Sequence, residues 1–363
     1  MISMESPARH FKLFPTSDEI LVKQLDFERK TSSGFYKYEV ELPMFGPLNQ
    51  SFDNVYLTVW SRQKIKPEDM FGFLNRQETN KYLLCSGFAA NPNQFDRANT
   101  SFIGAFDEKL SAQGRQNSVF IGLSCPGFTG TKVRKSLIDS KQVNSKNVSV
   151  NTYADLIEYV VKSLSLQSNT SLIGHSAGGA AALEYQSRLL RNKLHLFSDA
   201  KISSKIIALN PAIHINQAKQ FNTIKNLLIA KDIVPGQRLK KIPMRLVVQW
   251  LLGLEKIKYK KLSESQKKQV DLHVDELLEN PELSLAKLDD LSEPMERTEL
   301  TRRSSLIISG TKDRITLFED INKEYGNVFP IDGVHHDDIF IDSEIQDKYL
   351  TLMIDFLIND KIP

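Results

Sequence analysis

Residues 171–185, which read SLIGHSAGGAAALEY, restrict the possible folds of this chain more than any other stretch. An apolar run typical of a buried strand passes directly into an alanine-rich run, typical of a helix, that begins at Ala177. Gly174 and Gly178 stand two residues on either side of Ser176, where side chains would collide with neighbouring backbone in a tight turn. This order of strand, Gly-His-Ser-Ala-Gly and helix is the context in which a sharp turn exposes a serine hydroxyl above the edge of a sheet.

Such a turn can serve packing alone, or it can present a nucleophile. In the second case the backbone N–H of Ala177, at the start of the helix, would stabilise an oxyanion above Ser176. His175 lies within the motif, but on a tight turn its side chain points away from the serine, so we expect it to be buried and hydrogen-bonded. A serine needs a base to become a nucleophile. The motif therefore predicts a histidine and an acid elsewhere at the same edge of the sheet.

Strand patterns in the rest of the chain predict the kind of sheet. Residues 35–42 alternate between apolar and polar side chains, and residues 55–60 form a second strand pattern. After them, apolar runs without alternation are separated by helical stretches, which is typical of a parallel sheet covered on both faces. We therefore predict an α/β fold with a mostly parallel, doubly wound sheet after leading antiparallel strands. The buried runs are residues 82–84, 119–121, 172–173, 206–209 and 306–308.

The end of the chain predicts a helix. Ser343 and Gln346 form a capping-box pattern. The apolar side chains that follow at helical spacing are expected to line one face of this helix against the core. These residues are Ile345, Tyr349, Leu352 and Phe356.

A long insertion interrupts the alternation of strands and helices. Between Pro211 and the run at 306–308 lie roughly ninety residues without a strand pattern, far more than a normal connection. They read as several helices, basic over 237–261 and acidic over 262–299. We predict that residues 1–212 contain an N-terminal extension and the first part of the core, residues 213–300 a helical cap, and residues 301–363 the rest of the core.

Candidates for the acid and the base follow later strands. The run at 306–308 leads into Asp313, so this carboxylate would lie at the same sheet edge as Ser176, although turn aspartates are common. A further strand pattern at 328–331 is followed by His335 and His336. The order serine, aspartate, histidine, each after its own strand, is more specific than any one of these elements.

At this point the sequence resembles the α/β-hydrolase superfamily, over residues 55–212 and 301–358. Further matches are the strand and loop at 83–88, the glycine-rich loop at 124–130 and the helix start at 153–156. The resemblance implies Ser176 as nucleophile, Asp313 as acid, a histidine as base, and backbone oxyanion donors at Phe88 and Ala177. It also implies that the insertion is a helical cap before the acid-bearing strand.

The same resemblance ranks the two histidines and shows two departures. The family pattern Gly-x-Gly-His places the base at His336, with His335 as the alternative base. Ser86 stands where the family usually has a histidine before the glycine of the oxyanion loop, and Cys125 stands where it often has an aspartate. An epoxide hydrolase or dehalogenase would need an aspartate in place of Ser176.

The function implied is a serine hydrolase that cleaves a carboxylic ester or thioester through an acyl-enzyme. An acyltransferase that uses the same acyl-enzyme and a non-catalytic binding protein on this scaffold are the alternatives. We expect a small, partly apolar ester or acyl substrate and no cofactor. No metal-binding motif or dinucleotide fingerprint occurs; in particular, the run from His273 lacks the second histidine of a zinc-protease helix.

Within the insertion, residues 244–254 read MRLVVQWLLGL. On a helix, their larger apolar side chains would form one stripe, which either packs the cap onto the core or roofs a pocket. We expect Trp250 to contact the substrate. The stripe consists of Leu246, Val247, Trp250, Leu251 and Leu254. The basic side chains around it would allow weak contact with an anionic membrane surface. These are Arg238, Lys240, Lys241, Arg245, Lys256 and Lys258.

Composition excludes other classes of partner and predicts a location. The net charge of +3 gives no basic footprint for nucleic acid. Only two cysteines occur, which favours a reducing compartment. The first residues do not form a secretory signal and no run is long enough to span a bilayer, so we expect a cytoplasmic protein.

Overall fold

A computed structural model of the protein describes most of the chain. The described residues are 15–24, 31–88, 90, 92–96, 101–128, 130–140, 142–166, 169–191, 205–212, 224, 226, 228, 237–251, 254, 259–279, 281–292 and 305–359. The strands are β1 Leu21–Gln24, β2 Tyr36–Pro43, β3 Asn54–Ser61, β4 Asn80–Cys85, β5 Ser118–Leu123, β6 Thr170–His175, β7 Ile206–Leu209, β8 Ser305–Gly310 and β9 Val328–Ile331. The helices are α1 Met70–Leu74, α2 Phe102–Ala112, α3 Lys135–Asp139, α4 Ser145–Val148, α5 Val150–Ser163, α6 Ala177–Leu190, α7 Gln237–Leu251, α8 Glu264–Glu279, α9 Pro281–Ser292, α10 Phe318–Tyr325 and α11 Ser343–Asn359.

The strands form one nine-stranded mixed sheet in the order β1-β2-β3-β5-β4-β6-β7-β8-β9. The pairs β1–β2, β2–β3 and β3–β5 are antiparallel, and every later pair is parallel. The predicted α/β fold with leading antiparallel strands is therefore confirmed. Strand β1 was not predicted, because its sequence, Leu-Val-Lys-Gln, shows neither alternation nor a continuous apolar run.

Helices cover both faces of this sheet. Helices α5 and α6 pack on one face, where Leu83 and Cys85 of β4 point into their apolar cluster. Helices α2 and α11 pack on the other face, which Tyr82 and Leu84 join. Because successive side chains of a strand point to opposite faces, a strand buried on both faces reads as a continuous apolar run. This explains why the central strands show no alternation in the sequence.

Helix α11 begins where it was predicted, but a different residue caps it. The Oδ1 atom of Asp342 accepts hydrogen bonds from the backbone N–H of Glu344 at 2.9 Å and of Ile345 at 3.1 Å. Gln346 donates to the carbonyl oxygen of Ile339 at 2.9 Å and so does not complete a capping box with Ser343. The capping-box prediction is wrong by one residue, since a short aspartate directly before the helix reaches the same free N–H groups.

The apolar face of α11 is as predicted. Tyr349 and Phe356 are buried, and Ile345 and Leu352 pack against the same cluster.

Between β7 and β8, the described residues contain helices and no strand. We call α7, α8 and α9 the insertion helices. Helix α7 packs on α8, and α9 packs on α4 of the core. The fully buried Nζ atom of Lys287 on α9 donates to the carbonyl oxygen of Val148 at 2.6 Å, which fixes α9 to the end of α4. The boundaries of the predicted helical cap remain a prediction.

The side chain of Leu251 lies outside the described residues, and among the other members of the predicted apolar stripe one is wrong. Leu246 is 63% exposed, whereas Met244 and Val248 are buried. Met244 and Val248 are four residues apart and share a helix face. Leu246 is two positions from Met244 and so lies about 200° around the helix from it, on the opposite face. Val247 and Trp250 are half-buried against the core cluster.

The predicted membrane contact involves residues that are only partly described. Lys256 and Lys258 lie outside the described residues, and the side chains of Arg238, Lys240 and Lys241 are not described. None of the described helices has both the length and the apolar character needed to cross a bilayer.

A buried cation joins α5 to α6. The guanidinium of Arg188 on α6 contacts Asp155 at 2.7 Å, Glu158 at 3.0 Å and Glu184 at 2.9 Å. Its remaining nitrogen donates to the carbonyl oxygen of Asn151 at 3.1 Å. This cluster therefore helps to hold α6 in place, and with it Ser176, which directly precedes this helix.

We expect Arg188→Met to reduce the free energy of unfolding by about 3–5 kcal/mol, because Glu158 would stay buried without its cation. Lys135→Met is the control, since Lys135 forms an exposed pair with Asp139 at 3.7 Å and its loss should hardly change stability. Urea unfolding followed by circular dichroism measures both. An unchanged urea midpoint for Arg188→Met would contradict the prediction.

Candidate active site

Close backbone contacts force the turn at Ser176. Ser176 has φ +55° and ψ −120°, in the region that L-residues rarely occupy, between the end of β6 and the start of α6. A Cβ atom on Gly174 would lie 2.1 Å from the carbonyl oxygen of Gly178. A Cβ atom on Gly178 would lie 2.3 Å from the carbonyl oxygen of Cys85. Only glycine fits at either position, so the two glycines seen in the sequence are required by the turn.

Backbone hydrogen bonds tie the strained serine to the neighbouring strand. The N–H of Ser176 donates to the carbonyl oxygen of Leu209, the last residue of β7, at 2.9 Å. Its carbonyl oxygen accepts from the N–H of Ala212 at 2.9 Å and of Ala180 at 3.0 Å. A backbone held from three sides can maintain such an unfavourable conformation, which is a feature of functional sites.

Of the two predicted oxyanion donors, Ala177 directly follows Ser176 and Phe88 directly follows Gly87, which approaches the serine. Ala177 is the first residue of α6, and the first N–H groups of a helix have no acceptor within the helix. A Cβ atom on Gly87 would lie 2.9 Å from Ser176 Cβ, so the loop that leads into Phe88 passes directly over the serine. Phe88 itself is half-buried and its ring meets Phe128 edge-on at 5.2 Å.

Tyr153 holds this loop from below. Its buried hydroxyl lies 3.2 Å from the carbonyl oxygen of Ser86 and 3.0 Å from that of Leu123 and donates its proton between them. Burial raises the pKa of Tyr153 well above its ordinary value, so the hydroxyl remains a donor. Within the described residues, Ser86 Oγ is buried and has no hydrogen-bond partner. The side chain of Ser86, at the position where the resemblance leads us to expect a histidine, therefore makes no hydrogen bond to the loop among the described residues, whereas Tyr153 from α5 does.

Asp313 and His336 lie side by side at the same sheet edge. His336 Nδ1 is 2.6 Å from Asp313 Oδ2, and both residues are buried. Asp313 Oδ1 also accepts from the N–H of Ile315 at 2.8 Å and of Thr316 at 3.1 Å. The carboxylate is thus both a turn aspartate and a partner of the histidine, so the two interpretations of Asp313 hold together.

This contact fixes the protonation of the histidine ring. With Asp313 accepting at Nδ1, Nδ1 carries the proton and Nε2 has a free lone pair. Among the described residues, Nε2 of His336 has no hydrogen-bond partner although it is buried. Burial by itself would lower the pKa of His336, but the charge of Asp313 and the hydrogen bond to it raise this pKa above its ordinary value.

His335, the alternative base, is placed differently. Its backbone N–H donates to Asp338 Oδ2 at 2.7 Å, and its Nδ1 has no partner within the described residues. The structure brings His336 and not His335 to Asp313.

His175 is buried beneath His336, as expected, and the two ring centroids are 4.9 Å apart. Its Nε2 lies 3.1 Å from the carbonyl oxygen of His336, whereas its Nδ1 has no partner among the described residues. Burial, reinforced by His336, lowers the pKa of His175 to about 4, so this ring stays neutral at physiological pH.

Ligand atoms of His175, His336 and Asp337 all lie within 4.8 Å of one another and are the described group that comes nearest to a metal site. Ligands about 2.1 Å from a zinc ion lie about 3.4 Å apart. One ring nitrogen of each histidine, His336 Nδ1 and His175 Nε2, already takes part in the hydrogen bonds given above. We therefore treat this group as the hydrogen-bonded surroundings of the histidine.

The insertion helices contact both loops that hold these residues. Arg314, next to Asp313, donates to the carbonyl oxygen of Trp250 at 2.9 Å, and its guanidinium lies 5.0 Å from the centre of the Trp250 ring. His273 of α8 lies 3.5 Å from Asp337, the neighbour of His336. Trp250 therefore contacts Arg314, the residue that directly follows the acid. Its contact with a substrate stays a prediction.

The cysteines behave as expected of buried side chains. Cys85 and Cys125 are free thiols without exposure. Burial raises the pKa of Cys125 to about 11 and that of Cys85 further, so neither forms a thiolate at physiological pH.

Sequence reasoning assigned no role to Asn210, whose side chain reaches His336 and Gly310. A possible signal was its position, since an Asn directly after a buried strand can adopt the left-handed conformation that this strand end requires.

Three of the solved structures that resemble this one illustrate the likeness. A hydrolase from Pseudomonas aeruginosa PA01 matches with a TM-score of 0.53 at 14% identity, covering 84% of this chain and 94% of that chain. A putative lipase from Acinetobacter baumannii AYE matches with 0.50 at 13%, covering 89% and 92%. An esterase from Rhodococcus sp. ECU1013 matches with 0.50 at 12%, covering 85% and 97%. At such identities the likeness is one of fold.

No protein-family model matches this sequence, and no curated protein matches it.

Proposed function

We propose that this chain, which has the α/β-hydrolase fold, is a serine hydrolase that cleaves a carboxylic ester or thioester. The observation that carries the proposal is the 2.6 Å contact between His336 Nδ1 and Asp313 Oδ2, at the sheet edge where Ser176 occupies a strained turn. The similar folds are those of a hydrolase, a putative lipase and an esterase, which agrees with this class.

In the proposed reaction, Ser176 Oγ attacks the carbonyl carbon of the substrate while His336 Nε2 takes the hydroxyl proton. The carbonyl oxygen becomes an oxyanion, which the N–H groups of Phe88 and Ala177 stabilise. Collapse expels the alcohol or thiol with the proton from His336 and leaves an acyl-enzyme on Ser176. Water then attacks the acyl group by the same steps and releases the acid and the free serine.

Asp313 supports the histidine in this scheme. Asp313 keeps the proton of the ring on Nδ1 and stabilises the imidazolium that forms when Nε2 accepts a proton. Its other oxygen is held by two backbone N–H groups, so the carboxylate cannot swing away with the histidine.

The expected substrate is a small ester or acyl compound.

We expect Ser176→Ala to lower kcat on p-nitrophenyl acetate by about 10⁴- to 10⁶-fold and to abolish labelling by a fluorophosphonate probe, because the variant lacks the hydroxyl that would form the acyl-enzyme. Ser187→Ala is the matched control, since both serines are 6% exposed and Ser187 lies farther along α6. Labelling that persists in Ser176→Ala would exclude Ser176 as the nucleophile.

Alanine at His336 should lower kcat by at least about 10²- to 10⁴-fold, whereas His335→Ala should cause a milder loss. The reverse order would assign the base to His335.

The pH profile tests the same assignment. The base must be neutral, and the pKa of His336 is raised, so kcat/KM should fall as the pH drops through that raised value. Asp313→Asn should move this acidic limb to lower pH, because the charge that raises the pKa is removed. An acidic limb that stays in place would show that another group titrates.

Trp250 is proposed to contact the acyl part of the substrate. In a folded Trp250→Ala variant, we expect the preference among p-nitrophenyl esters of increasing chain length to change, with a modest loss on short esters. Val248→Ala is the control, since Val248 lies on the same helix, is buried, and should affect stability alone. An unchanged chain-length profile for Trp250→Ala would refute this role.

A further inference from the structure

Asn210 is a buried polar residue at the centre of the candidate site. It directly follows β7, is fully buried, and has a φ of +44°. Its backbone N–H donates to the carbonyl oxygen of Ile308 in β8 at 2.8 Å. The residue before it, Leu209, accepts the hydrogen bond that anchors Ser176. Asn210 therefore lies between the strand that holds the serine and the strand that leads to the acid.

Its side chain reaches three other segments. Nδ2 donates to the carbonyl oxygen of His336 at 2.6 Å. Oδ1 accepts from the N–H of Gly310, the last residue of β8, at 2.9 Å. Oδ1 also accepts from the hydroxyl of Tyr349 on α11 at 2.9 Å. Burial raises the pKa of Tyr349, so its hydroxyl keeps the proton that it donates.

These contacts fix the main chain of His336 relative to Asp313. Gly310 stands three residues before Asp313, and a Cβ atom on it would lie 2.3 Å from the carbonyl oxygen of Val334, so the acid and histidine loops touch there. The carbonyl oxygen of His336 also lies 3.1 Å from His175 Nε2. With its peptide held from two sides, the ring of His336 can reorient by side-chain rotation alone.

We propose that Asn210 is a positioning residue for the catalytic base. Its amide spans the end of β8 and the carbonyl of His336, and so sets the distance at which the ring meets Asp313 and faces Ser176. The inference rests on the proposed function in that His336 acts as the base. A neutral amide suits the role because it donates and accepts at once, whereas an aspartate would place an acceptor and a charge against the carbonyl oxygen of His336.

The test is Asn210→Gly, because glycine adopts a φ of +44° without strain and only the side-chain bonds are lost. We expect a folded protein in which kcat on p-nitrophenyl acetate falls by about 10- to 100-fold with KM within about twofold, since small displacements of catalytic groups have effects of this size. The acidic limb of the pH profile should also move, because the contact with Asp313 that raises the pKa of His336 is loosened.

Two variants separate this role from general destabilisation. Asn117→Gly removes an exposed Asn at a φ of +61° that lies directly before β5, and it should leave kcat unchanged. Tyr349→Phe removes one donor to Oδ1 but keeps the bonds to His336 and Gly310, so it should cost less than Asn210→Gly. If Asn210→Gly does not fold, Asn210→Asp replaces it, because the aspartate keeps the size of the side chain and loses the donor to His336.

A measurement independent of turnover separates this inference from the proposed function. In protein with ¹³Cε1-labelled histidine, the His336 resonance is assigned by its absence in His336→Gln, and its titration is compared between wild type and Asn210→Gly. A shifted titration supports positioning even if the wild type hydrolyses no ester. If His336 titrates alike in both proteins, or if a folded Asn210→Gly variant keeps the wild-type kcat and pH limb, Asn210 is not a positioning residue.

Discussion

Direct backbone contact between β4, β6 and α6 determines where the reactive groups of this protein lie. At Gly178 the helix approaches the carbonyl oxygen of Cys85 so closely that no Cβ atom fits, and Gly174 meets Gly178 in the same way. The chain can then turn only by placing Ser176 in a strained conformation at the carboxyl edge of the sheet. Every parallel strand ends at this edge, so residues that follow β8 and β9 arrive beside the serine without a long loop.

Hydrogen bonding at this edge differs between the acid and the base. Asp313 accepts from two backbone N–H groups, from Thr316 and from His336. Buried polar atoms in folded proteins are normally paired, and those that are not call for an explanation. Among the described residues, Nε2 of His336 is such an atom, and a lone pair that must accept a proton during a reaction has to be left without a permanent donor.

The fold and the candidate triad were largely predictable because each is encoded locally. Buried strands are visible as apolar runs, and Ser176, Asp313 and His336 each follow one of them. Contacts over long distances along the chain were not predictable. The exposure of Leu246 depends on how α7 rotates against α8, and the hydrogen bonds of Asn210 join residues about a hundred or more positions apart, for which periodicity carries no signal.

The contacts of the insertion helices with Arg314 and Asp337 have a thermodynamic consequence. Energetic coupling between two parts of a molecule is reciprocal. Suppose that displacing α7 and α8 to admit a ligand disturbs the neighbours of Asp313 and His336. A well-ordered acid and base must then favour the undisplaced helices by the same free energy. The molecule would then be least able to transfer a proton while these helices are displaced, and it would regain that ability as they return.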